Sequence, residues 1–91
     1  MNIILEPKKP NKEYIGNIDK TFTIGELKEL LGGYCEMLYL PKNNTYIVFR
    51  KLDKYAKAKE IYNAEATGFI RDNYDKSNTV VYGKALITDN I

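Results

Sequence analysis

The chain contains no histidine. That absence removes the commonest general base, the commonest metal ligand and every nucleophile system built on a Ser-His or Cys-His pair. Cysteine is nearly missing as well. Cys35 stands alone, so no disulfide forms within the chain, and its place in an apolar run suits a small buried hydrophobe. No uncharged apolar run approaches the roughly 18 residues of a membrane span. The opening residues MNIILEPKKP put apolar before basic, the reverse of a signal peptide, so the expected setting is cytoplasmic, away from membranes.

Specific chemical motifs are missing too. There is no GxxxxGK[ST] phosphate loop, and the glycine pair Gly32-Gly33 follows a helix instead of opening one. The stretch DNYDKSN lacks the central glycine and terminal glutamate of a calcium loop. The carboxylate pairs Glu26 with Glu29 and Asp72 with Asp75 fall on a polar helix face and in a polar loop, without the apolar surroundings that shift a pKa. The expectation is a protein with no catalytic residue, no metal and no cofactor.

What is present describes a globular domain. The 91 residues, 44% hydrophobic and 29% charged, are too apolar for a disordered chain and hold one α+β domain over 1–91. A domain of this size buries only about 60 to 65% of its unfolded surface, which makes a homo-oligomer the expected state. Net charge is +2, with Lys8, Lys9 and Lys12 near the start and Lys51, Lys54, Lys57 and Lys59 in the middle. Asp53 and Glu60 interrupt the second group, so it reads as a solvated face more than as a polyanion track.

Local patterns place the elements. Asn2 to Leu5 is a short strand closed by Pro7, and Glu13 to Ile18 a second strand or edge piece containing Gly16. Thr23 with Glu26 forms a capping box, Phe22 and Leu27 a hydrophobic staple, and Ile24, Leu27, Leu30 and Leu31 an apolar helical stripe that Gly32 and Gly33 terminate. Tyr34 to Leu40 and Thr45 to Arg50 flank the turn PKNN and form a hairpin, expected to be central because both of its faces are apolar. Leu52 to Tyr62 has helical spacing of Tyr55, Ala58 and Tyr62. Asn63 caps a short helix, AEATGFIR, whose Gly68 suggests a close contact. A polar loop over Arg71 to Asn78 leads to a last strand, Thr79 to Thr88, in which Gly83 marks a bulge or close approach. The sum is an antiparallel sheet of four to five strands with two to three helices packed on it.

In this order the parts resemble a family of small proteins, a domain of unknown function found in phages, prophages and conjugative elements. Its marks here are Gly33, Tyr34 and Glu36 of a GGY-E-apolar strand, then Asn63, Ala66 and Thr67 at a helix start, then Gly83 in a terminal strand. The likeness runs from Thr23 to Thr88 and departs in the middle, where basic KLDKYAKAK stands in place of an acidic passage. It implies an accessory protein acting by stoichiometric binding in a host cell. Such a protein counters host defence by sequestering a nucleotide-like immune signal or by occluding a host defence protein.

The eight tyrosines suit either role, because each offers flat apolar area and a hydroxyl at low entropic cost. A nucleotide site would join an aromatic face to a phosphate-binding cation. The expected constellation is Tyr55 or Tyr62 with Lys54 or Arg71, and Asn63 or Thr67 reading polar groups. Two rivals stand behind this reading: direct nucleic-acid binding, and a small carboxylate-dependent hydrolase.

Overall fold

The computed structural model describes residues 2–8, 12–13, 21–57 and 59–89, and of Lys12, Glu13 and Lys54 the backbone alone. Five strands form one antiparallel sheet: β1 (Asn2–Leu5), β2 (Lys12–Glu13), β3 (Cys35–Leu40), β4 (Thr45–Arg50) and β5 (Ala85–Thr88), in the order β2-β1-β5-β4-β3. Three helices accompany it: α1 (Ile24–Leu31), α2 (Lys54–Lys57) and α3 (Ala64–Asn73). The fold is α+β as expected, because every strand pairing is antiparallel.

The sheet has helices on both faces, and the period of the strands explains why. In β4, Ile47 and Phe49 face α3 and join Leu5, Leu40, Ala85, Ile87, Ala66 and Ile70 in the larger core. Val48 points the other way and meets Leu86 and Leu31 under α1. Strands covered on both sides need apolar residues at successive positions, and all four residues of β5 are buried. Cys35 joins the α1 core, its thiol donating to the Gly33 and Leu27 carbonyls at 3.2 and 3.7 Å. Burial raises its pKa above the ordinary thiol value against the opposing charges of Arg50 and Lys28, so it remains a thiol at neutral pH.

α1 keeps its sequence promise at both ends. The Glu26 amide donates to Thr23 Oγ1 at 3.2 Å, and the Thr23 amide donates to Glu26 Oε1 at 3.1 Å. At the other end Gly32 takes the left-handed conformation, φ 91°, and its N–H closes on the Lys28 carbonyl. Ile24, expected in the packed stripe, is 75% exposed instead. The helix meets the sheet through Leu27, Leu30 and Leu31, toward its C-terminal end, and its first residue lies beyond that contact.

Several other expectations need correction. The strand expected over Glu13 to Ile18 is seen only at its first residue, within β2; positions 14–18 lie outside the described residues. The hairpin is not central as a whole, because β4 is interior but β3 is the edge of the sheet. The helix expected over Leu52 to Tyr62 shrinks to α2, with the Asp53 side chain accepting from the Ala56 amide. The strand expected over Thr79 to Thr88 shrinks to β5. Both contractions have one cause. Residues 61–63 and 81–83 pair with each other: the Asn63 amide donates to the Val81 carbonyl, the Gly83 amide donates to the Ile61 carbonyl, and Tyr62 bridges Tyr82. That pairing takes Tyr62 out of the helix and Tyr82 out of the sheet.

α3 runs two residues past the expected AEATGFIR, so Arg71 to Asn73 is helix and not loop. Its Gly68 does not serve a close approach, since a Cβ there would meet nothing within 4 Å. Gly68→Ala should therefore stabilise the protein by about 1 kcal/mol through helix propensity alone, a rise in Tm of about 4 to 8 °C in a thermal melt. A fall in Tm would show that the position is crowded.

Candidate functional site

Arg50 ends β4, and its guanidinium lies across the glycine stop of α1. A Cβ on Gly33 would stand 3.4 Å from Nε and Nη2, and one on Gly32 would stand 3.9 Å from Nη1. Arg50 Nη1 donates to Glu60 Oε1 in an ion pair. Glu60 in turn covers Gly83, where a Cβ would lie 3.4 Å from Oε2 and where φ is +74°. Three glycines from two separate parts of the chain thus make the seat of one ion pair. The close approach expected at Gly83 is this one.

The pair forms one wall of a cleft of about 380 Å³, with Leu30, Leu31 and Ile61 as its apolar lining. Three carboxylates, Glu6, Glu29 and Glu60, face two cations, Arg50 and Lys84, and Lys84 lies 3.7 Å from Glu6.

A second groove of about 620 Å³ shares Glu6, Pro7 and Ile61 with the cleft and continues to Lys8, Tyr62, Ala64 and Glu65. Its chemistry differs. Tyr62 is 43% exposed, and the Tyr82 ring braces it edge-on at 6.0 Å. Ala64 and Glu65 open the ten-residue α3 and line this groove, so the positive end of the helix dipole lies beside it. Lys8 adds an exposed ammonium, while Glu6 and Glu65 add carboxylates.

Asn63 holds this end of α3 in place. Its Oδ1 accepts from the Ala66 amide at 3.1 Å, and its Nδ2 donates to the Leu5 and Gly83 carbonyls at 3.1 and 2.9 Å. The residue is 1% exposed. Thr67 completes the tie: its hydroxyl donates to the Asn63 carbonyl and accepts from the Val81 amide at 3.0 Å. Both side chains were expected to read a ligand, but they are buried and spend their polar groups on the backbone. They shape the groove from beneath.

Of the other expected residues, only Tyr62 faces the groove. Tyr55 is 83% exposed on α2 and lines neither concavity. Lys54 lies on the same turn, and its side chain is outside the described residues. Arg71 is exposed in the last turn of α3, about 10 Å along the helix axis from its first residue at 1.5 Å per residue. Among the described side chains, the expected constellation is not assembled. Lys8 takes the cation's place, and Arg50 with Glu60 went unnoticed because they lie ten positions apart on either side of α2, beyond the reach of a local pattern. Among the described residues, no three Cys, Asp or Glu side chains are placed to hold a metal ion, and no helix is long and apolar enough to cross a membrane. Comparison with known proteins finds no matching family model, no matching curated protein and no matching solved structure.

Proposed function

We propose that the protein works by stoichiometric binding and that the groove at the start of α3 receives a nucleotide-like molecule. The observation that carries this reading is the meeting of Tyr62, the start of α3 and Lys8 in one concavity. A nucleotide needs an aromatic surface for its base and a positive end for its phosphate, and these groups supply both. The role as an accessory protein of a phage or related element, sequestering an immune signal in the host cell, follows from the sequence resemblance alone. A second reading, occlusion of a host defence protein, draws support from the exposed Ile24, Tyr34 and Tyr55.

Calorimetric titration with adenosine diphosphate and with a cyclic dinucleotide tests the leading reading. One of them should bind, and Tyr62→Ala should weaken that binding about tenfold or more, the worth of one stacked base. The ligand should come back chemically intact after the protein is denatured. Binding unchanged by Tyr62→Ala, or no binding of either probe, would move the assignment to the protein-occluding role.

A further inference from the structure

The two edges of the sheet are unlike. Among the described residues, β2 closes one side with two residues. β3 closes the other with six, CEMLYL, and it contains no lysine, proline or glycine to blunt it. Among the described residues, no strand lies outside it.

The register against β4 shows which backbone groups are open. The Lys51 amide donates to the Tyr34 carbonyl, so positions 34, 36, 38 and 40 turn their N–H and C=O groups toward β4. Cys35, Met37 and Tyr39 turn theirs outward. The Tyr39 carbonyl already accepts from the Tyr74 hydroxyl, with a second lone pair to spare. Met37 is 48% and Tyr39 41% exposed, and Tyr39 packs against Tyr46 with ring centroids 5.1 Å apart.

We propose that β3 pairs antiparallel with β3 of a second copy of this chain, about a two-fold axis at Met37, to make one continuous sheet. Three two-fold registers join at least two outward pairs, and the sequence discriminates among them. Setting Cys35 against the partner's Met37 would place Glu36 opposite the partner's Glu36, and like charges directly opposed destabilise a sheet. Setting Met37 against the partner's Tyr39 would bring Cys35 opposite the partner's Pro41, which has no N–H to give.

Setting Met37 against the partner's Met37 pairs Cys35 with the partner's Tyr39 and opposes Glu36 with the partner's Leu38. It uses every outward group, two hydrogen bonds for each of three bonded pairs, or about six in all. A second copy fits better than an unrelated strand because this pattern complements itself. A two-fold pairing spends the β3 edge of both copies, so this contact closes at two.

The test is sedimentation equilibrium of the full chain, with hydrogen exchange of the β3 amides. A dimer is expected, with the Cys35, Met37 and Tyr39 amides protected in it. Met37→Lys sets two ammonium groups face to face and should weaken the dimer at least about tenfold while circular dichroism stays native, since the side chain is half exposed. In that variant the three amides should exchange freely and the β4-bonded amides stay protected. A monomer whose Met37 amide exchanges at solvent rates overturns the proposal and leaves the edge to a heterologous strand. So does a dimer that Met37→Lys leaves intact.

Discussion

Asn63→Ala should destabilise the protein by about 3 kcal/mol or more and lower its Tm by at least about 12 °C. The side chain serves three elements at once. Its carbonyl oxygen caps α3, a contribution of about 1 kcal/mol by itself. Its amide nitrogen satisfies the Leu5 carbonyl at the end of β1 and the Gly83 carbonyl beside the ion pair. Alanine removes both donated bonds: the Gly83 carbonyl loses the donor shown for it, at about 1 to 3 kcal/mol, and the Leu5 carbonyl, which also sits in the β1–β5 pairing, loses about 1 kcal/mol. Asn63→Asp keeps the cap but turns a buried carboxylate oxygen toward two carbonyl oxygens, so a thermal melt should place it at or below alanine. If alanine melted within about 2 °C of wild type, the tie between α3 and the sheet would be immaterial to stability.

Leu86→Ala should cost about 2 to 5 kcal/mol, read as a shift in the denaturant midpoint at unchanged slope. Leu86 is fully buried at the centre of β5 and belongs to the smaller core, with Leu31 and Val48 under α1. That core is too small to collapse around a missing isobutyl group. A hydrophobic substitution of similar volume, Leu86→Met, should cost less than about 1.5 kcal/mol. Equal losses for the two variants would mean that shape, and not volume, governs the site.

How much of this was legible beforehand depends on the range of each interaction. α1 was readable from end to end because its cap, its stripe and its glycine stop lie within ten positions of one another. The Asn63 cap was readable for the same reason, from the Ala66 amide three positions away. Its other two partners lie 58 and 20 positions off, and no local pattern announces them. So the residue looked like a surface cap with polar groups to offer when it is a buried knot.

The passage from Leu52 to Tyr62 failed in the opposite direction. Alanine and lysine favour helix there, but Glu60 is claimed by Arg50 and Tyr62 by Tyr82, both on strands or segments distant in sequence. Two tertiary demands outweigh a weak propensity. For the groove, Tyr62 was legible as an aromatic of the right class. Lys8 was not, because its place beside α3 depends on how β1 runs up to the Asn63 side chain.

The order β2-β1-β5-β4-β3 also fixes a sequence of events. β5 comes after every other strand in the chain, yet it sits between β1 and β4 and pairs with both. Until residues 85–88 leave the ribosome, the nascent chain owns a β3–β4 hairpin and a separate β1–β2 ribbon with no backbone link between them. Completion therefore happens in one late insertion that closes a loop of most of the chain length, a high-contact-order step that sets the folding rate. The same gap makes the truncated chain a receptor for its own missing piece, so a peptide spanning β5, added in trans, should restore the sheet.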